Sequence, residues 1–253
     1  MDSELTRTAV IAILVLSSLS IVSMLLGVAL AIHTSRHKRA ISIGMGFSVG
    51  IMLLISFVEL IPEALGETGI ERTFTALAAG MLLLALLHWL IPHMHLVRET
   101  GDSNRLALRT SYLVAIGLIL HDVPEGFAMA NSYIASASMG LLVALAIAVH
   151  NIPEEYAMAV PIATVKSRRL LYTAAFLSGL AEPLGAVIGL FAVHYNPELN
   201  AIFLAFAAGA MIFVSIHELI PMARNYRQPG HFLLGAGMSL VVYLLLSVML
   251  PGQ

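Results

Sequence analysis

Apolar residues run through this chain in blocks about twenty long, parted by short stretches where charges and helix breakers collect. The blocks fall at about 8–32, 41–62, 73–92, 111–132, 138–162, 170–193, 199–221 and 231–250. A helix rises about 1.5 Å per residue, so about twenty apolar residues cross the hydrocarbon core of a bilayer. The pattern predicts an all-α integral membrane protein with eight transmembrane helices, spans 1–8. The joints, such as His33–Arg39 and Asn225–Gly230, are too short to hold soluble domains, which makes residues 1–253 one transmembrane domain. The first block lacks a basic leader and a small-residue cleavage site, and reads as a helix that is retained.

The blocks are not independent. Gly50–Ala64 of span 2 and Gly209–Ala223 of span 7 are identical at eight of fifteen positions, with Glu-Leu-Ile-Pro shared as Glu59–Pro62 and Glu218–Pro221. Ala79-Gly80-Met81 of span 3 recurs as Ala236-Gly237-Met238 of span 8, and Leu16–Leu19 of span 1 is echoed by Leu177–Leu180 of span 6. Spans 2 and 7 cross in opposite directions. The expected arrangement is therefore 3+2+3: spans 1–3 and 6–8 as inverted repeats around an antiparallel pair, spans 4 and 5. Inverted repeats with interrupted helices and a site near the midplane typify secondary transporters.

Basic residues set the orientation. The joints after spans 1, 3, 5 and 7 hold eleven of the thirteen Lys and Arg, and the other side has only Arg7 and Arg72. By the positive-inside rule those four joints are cytoplasmic and both termini are extracytoplasmic. The short loops and the absence of a presequence point to a multi-pass protein of a prokaryotic plasma membrane.

Composition agrees and narrows the chemistry. The chain is 59% hydrophobic and 11% charged, with a mean hydropathy of +0.91; soluble domains carry about 25% charged residues. With no cysteine, thiolate metal sites and disulfides are excluded. No basic patch suggests nucleic acid, which leaves the lipid bilayer and small solutes as partners.

Against that background the polar residues inside the spans stand out. Seven acids lie within spans or at their ends, Glu59, Asp122, Glu125, Glu154, Glu155, Glu182 and Glu218, and no span contains a Lys or Arg. Five of them, with two histidines, sit in spans 4–6. Ionised groups in hydrocarbon must be neutralised, hydrated or paired with a cation. The segment His121-Asp122-Val123-Pro124-Glu125 recurs as His150-Asn151-Ile152-Pro153-Glu154. Each copy puts an imidazole and a carboxylate four residues apart, on one helix face. Pro124 and Pro153 each remove a backbone hydrogen bond, freeing the carbonyls of Leu120 and Val149 as oxygen ligands or water contacts. Pro183 follows Glu182 in the same way. Two carboxylates able to bridge, flanked by His, Asp and Asn, can hold one or two divalent ions. Such a set suits Zn²⁺, Fe²⁺, Mn²⁺ or Cd²⁺ better than Ca²⁺ or Mg²⁺. Without thiolates the ion stays exchangeable, as a transported ion requires.

Other readings compete. The same residues could form a buried polar network that only joins helices, though such contacts contribute about 1 kcal/mol each and would not explain the duplication. An intramembrane metal-dependent hydrolase would use the same ligands for a catalytic ion, but His-Glu-x-x-His is absent and inverted repeats suit a two-sided cycle. A proton-coupled carrier of an organic solute would need a roomy aromatic pocket, whereas spans 4–6 are rich in Ala, Gly and Val. Glu59 and Glu218 fall near the ends of their runs, where contact with water accounts for them; Glu218 with His217 forms a candidate accessory ligand pair at the cytoplasmic side. His194 with Glu198 outside, and His93 with His95 inside, read as solvated loop residues.

With these residues in place, the chain resembles the ZIP (Zrt/Irt-like protein) family of divalent metal transporters along essentially its whole length. His121–Gly126 is similar to the family's span 4 motif, His150–Glu154 to its span 5 motif, and Ser178-Gly-Leu-Ala-Glu182-Pro183 to the span 6 segment that supplies a glutamate ligand. The resemblance implies one site from His121, Glu125, His150 and Glu154, with Met52 of span 2 as a further ligand. It implies a second from Asp122, Glu125, Asn151, Glu154 and Glu182, sharing both glutamates. It further implies a homodimer that imports metal, Zn²⁺ first, into the cytoplasm with no resident cofactor. Spans 1, 4, 5 and 6 would move as an elevator against 2, 3, 7 and 8. Two departures stand out. Glu155 replaces the motif's usual Gly and adds an accessory carboxylate. The joint after span 3 has only His88, His93 and His95 near it, where many members carry a long His-rich loop.

Overall fold

The computed structural model describes residues 7–33, 37–90, 122–162 and 168–250. They are helical almost throughout, with no strand among the described residues. In chain order the helices are α1 (Arg7–Ser17), α2 (Leu19–His33), α3 (Lys38–Leu54), α4 (Ile61–Leu90), α5 (122–135), α6 (Ala137–Ile162), α7 (Arg168–Tyr195), α8 (Leu199–Val214), α9 (Ile220–Asn225) and α10 (Pro229–Met249). Six apolar helical stretches among the described residues are long enough to cross a membrane.

One of those six is two crossings. Lys38–Trp89 is 52 residues long, about 78 Å if straight, far more than a bilayer accommodates. The chain turns at Gly69, whose φ of 75° and ψ of 176° break α4. This left-handed region is open to glycine. Thr73 Oγ1 donates to the Gly69 carbonyl at 2.8 Å and lies 3.2 Å from Thr68 Oγ1, closing the turn. The sequence pattern ends span 2 near residue 62; the structure carries the helix to Thr68, because a polar, surface-facing turn of helix can project beyond the apolar block. Seven crossings thus lie among the described residues, and α5 holds the C-terminal part of the expected span 4.

The repeat seen in sequence is also a repeat in backbone. A π-helical segment at Ile55–Leu60 joins α3 to α4, and another at Ser215–Leu219 joins α8 to α9. In the first the Ile61 N–H bonds to the Ser56 carbonyl, and in the second Ile220 bonds to Ser215. The cause is the shared proline. Pro62 and Pro221 would each clash with the carbonyl four residues back in a regular helix, and one wider turn just before the ring relieves that clash.

Helix packing rests on small residues. α4 lies along α8, and α3 along α10, in the two most extensive helix contacts among the described residues. A Cβ on Gly80 would collide with the Phe206 carbonyl, and one on Gly209 with the Leu77 carbonyl. Gly46 and Gly235 press on Phe232 and Ile43 in the same reciprocal way. Gly50 meets Ala236 and Ser239 one turn further along both helices, so α3 and α10 run in the same direction. A second group forms from α2, α6 and α7, with α5 held on α7 where Gly126 faces the Glu182 carbonyl and Gly185 that of Val123. The two groups meet chiefly where α3 crosses α6. Within the second group Ser136 caps α6, its Oγ accepting the Met139 N–H at 3.1 Å, and Gly140 lies against Tyr133. α5 and α6 are therefore a tight antiparallel hairpin.

Backbone-on-backbone contact leaves no room for growth. Gly209→Val is expected to cost about 3 kcal/mol, at the top of the range for overpacked interiors. Gly237→Ala, where nothing lies within 4 Å of the added carbon, should be neutral or slightly stabilising. Thermal unfolding of the two purified variants in detergent checks the contrast.

Candidate metal centre

The α5–α6 hairpin sets the site. Glu125 lies eleven residues before Ser136 and His150 fourteen after it, so the two stand at similar depth on neighbouring helices. His150 and Glu154 share one face of α6. His150 Nε2 is 3.3 Å from Glu125 Oε1 and 3.6 Å from Glu154 Oε2. The ligand atoms of these three residues all fall within 4.8 Å of one another, and all three side chains are buried. Two ligands about 2.1 Å from a tetrahedral ion stand about 3.4 Å apart, close to the two distances from His150 Nε2.

The imidazole is fixed in the orientation a ligand needs. His150 Nδ1 lies 3.1 Å from the Ala146 carbonyl and donates to it, leaving Nε2 to face the carboxylates. Glu125 Oε2 is buried and has no hydrogen-bond partner among the described residues. A carboxylate oxygen left unsatisfied in the interior is costly, and a bound cation would relieve it.

The other expected ligands surround this cluster. Asn151 Nδ2 donates to Glu182 Oε1 at 2.6 Å, tying α6 to α7. Asp122 accepts a hydrogen bond from the Ser178 hydroxyl, tying α5 to α7. All three of Asp122, Asn151 and Glu182 are buried, and Glu182 is in electrostatic range of Glu125 and Asp122. Met52 is buried in α3, and its sulfur accepts a hydrogen bond from Ser215 Oγ at 3.7 Å. His121 lies outside the described residues. Glu155 is buried on the α2 side of α6, where a Cβ on Gly27 would come within 2.8 Å of its own Cβ; Glu154 instead faces the cluster.

The repeat-related acids behave differently from their sequence reading. Glu59 is only 6% exposed and accepts a hydrogen bond from the Tyr243 hydroxyl of α10, so water contact does not account for it. Glu218 is half-buried, with Oε1 3.4 Å from His88 Nδ1 of α4. Each π-segment glutamate is therefore met by the last long helix of the opposite repeat. His217 is exposed and stacks on Phe213 at 4.4 Å. Tyr243, Ser178 and Ser48 were missed by sequence reasoning. Only Tyr243 carried a signal, as a polar tip in an otherwise apolar span.

Taken together, apolar crossings, two matching interrupted helices and a buried imidazole between carboxylates define an intramembrane cation-handling protein. The comparisons place it more closely. Residues 93–249 match the family described as ZIP zinc transporter. A protein of Chlorobium limicola named zinc transporter ZupT is 37% identical over 93% of this chain and 98% of its own. One of Streptococcus mutans with the same name is 39% identical over 77% of this chain and 79% of its own. The chain belongs to the ZIP family, and it is a transporter rather than an enzyme, which removes the hydrolase reading.

Stabilisation by the cation follows from the geometry. Zn²⁺ at a hundred times its Kd should add about 2.7 kcal/mol to the folded state. His150→Ala should abolish that gain while the protein still folds. Thermal unfolding with Zn²⁺ and with chelator, for both proteins, measures it.

Proposed function

We propose that this protein imports a divalent metal, Zn²⁺ first with Cd²⁺, Fe²⁺ and Mn²⁺ as competitors, from outside the cell into the cytoplasm. The observation that carries this reading is the buried Glu125, His150 and Glu154 cluster, with ligand atoms spaced for one ion. His121 and Met52 would complete that site. Asp122, Asn151 and Glu182, with the two shared glutamates, would form the second. The similar proteins named zinc transporters support Zn²⁺ as the substrate, and so does the imidazole–carboxylate donor set.

On this reading the ion sheds water on reaching the cluster and exchanges it for carboxylate oxygens and an imidazole nitrogen. The two carboxylates cancel its charge, so hydrocarbon no longer opposes its passage. Eight spans in the 3+2+3 arrangement form one domain over 1–253, with both termini outside and a homodimer as the working unit. Alternating access moves spans 1, 4, 5 and 6 against 2, 3, 7 and 8 as an elevator. The packing supports that division: α3, α4, α8 and α10 form one group, α2, α5, α6 and α7 the other, and the cluster belongs to the second. Glu218 and His217 act as accessory ligands on the cytoplasmic side, and Glu155 as an accessory carboxylate.

Uptake of Zn²⁺ into proteoliposomes tests the reading. The wild type should show saturable uptake that Cd²⁺, Fe²⁺ and Mn²⁺ inhibit in a reproducible order, and Glu154→Ala should reduce it at least a hundredfold. Binding of Zn²⁺ by the folded protein without any flux would refute transport.

A further inference from the structure

The α3–α6 crossing has a construction of its own. Gly44 of α3 lies where a Cβ would come within 2.8 Å of Pro153 Cβ, so the proline ring of α6 rests on bare backbone. One turn further along α3, Ser48 Oγ donates to the backbone carbonyl of His150 at 3.0 Å. The contacts run from Gly44 to Pro153 and from Ser48 back to His150, so the two helices are antiparallel here. Ser48 and His150 are both fully buried. The carbonyl that Ser48 holds belongs to the residue whose Nε2 faces Glu125 and Glu154.

We infer that Ser48 is a positioning residue for metal binding: its hydroxyl fixes the backbone of His150 at the depth where the imidazole meets the two glutamates. The inference rests on the transport reading above and adds to it a residue outside the ligand set, on the opposite packing group. Pro153 explains why a hydroxyl is useful at this point. Pro153 has no N–H, so the Val149 carbonyl lacks its α6 hydrogen bond, and the turn that carries His150 is held by one bond fewer. A donor from α3 restores definition to that turn. Because the same bond crosses from one packing group to the other, it holds the assembled site in register with α3 and is lost when α6 slides.

The loss of one net hydrogen bond corresponds to about a fivefold change in an equilibrium constant. Ser48→Ala should weaken Zn²⁺ binding in detergent about fivefold and raise KM for uptake by about the same factor, without lowering the maximal rate. Ser48→Gly, which also lacks the hydroxyl, should do the same. Ser42→Ala is the control. Ser42 is equally buried on α3, and its hydroxyl has no partner among the described residues, so its loss should leave Kd and KM unchanged. Thermal unfolding of the metal-free proteins completes the set, with the Ser48 variants expected to melt slightly below Ser42→Ala because they lose a buried hydrogen bond. Wild-type Kd and KM in both Ser48 variants would overturn the inference. So would a lowered melting temperature with unchanged KM, since that is a packing role alone. Should the wild type itself take up no Zn²⁺, the transport reading fails first; a transporting wild type with indifferent Ser48 variants sinks only this proposal.

Discussion

Two carboxylates, Glu125 and Glu154, are buried within a few ångströms of each other in a region with no Lys or Arg in any span, and the rest of the molecule can be understood as what makes that arrangement tolerable. Charge of one sign inside hydrocarbon costs several kcal/mol per group unless it is neutralised. A permanent partner such as arginine would neutralise half of that charge and crowd the site against any other cation. The chain instead supplies the His150 imidazole, a group that is neutral or charged by circumstance, and leaves one Glu125 oxygen without a partner among the described residues. On the transport reading proposed above, the positive charge that completes the site is the substrate. Occupancy and stability are then linked, which suits a carrier whose loaded form must cross the low-dielectric zone.

Such a site needs helices held at fixed separation without the hydrophobic effect, because lipid is as apolar as leucine. Close approach of backbones replaces it. Gly126 and Gly185 bring α5 onto α7, and the same reciprocal contact recurs between α4 and α8 and between α3 and α10. Polar bonds then set the register. Asn151 to Glu182 and Ser178 to Asp122 lock the second group together, while Glu59 with Tyr243 and Glu218 with His88 bind the two repeats in the first. The bonds thus fall within packing groups more than between them, and Ser48 with His150 is a notable crossing. The ligands on α5, α6 and α7 are therefore tied to one another more than to α3.

Much of this was legible because a few physical rules act on short stretches of sequence. His150 and Glu154 share a face by helical period alone, and Glu125 joins them once spans 4 and 5 pair antiparallel. The Glu-Leu-Ile-Pro repeat paired spans 2 and 7, and the structure adds that both carry a π-helical segment there. What escaped depends on which way a side chain turns across a helix interface. Glu59 reads as water-bound because its block ends three residues later, yet the Tyr243 hydroxyl, from a helix nearly two hundred positions away, donates to it in the interior. Ser48 and Ser178 are small polar residues among many others in these spans, and no spacing rule separates a serine that reaches another helix from one that bonds its own turn, as Ser239 does to the Ala236 carbonyl.

Pro153 shows how sequence, backbone and chemistry meet at one position. A proline between the two ligands of α6 weakens the local helix, which on its own would blur the imidazole's place. The same ring provides a flat surface that Gly44 matches, bringing α3 near enough for Ser48 to reach the His150 carbonyl. The disruption and its remedy therefore come from one residue. On the inference drawn above, Ser48 places the ligand from a neighbouring helix, so the geometry of the site depends on where the second helix group stands relative to the first. That dependence is what a transport cycle requires: affinity that changes when the groups move, with no change in the ligands themselves.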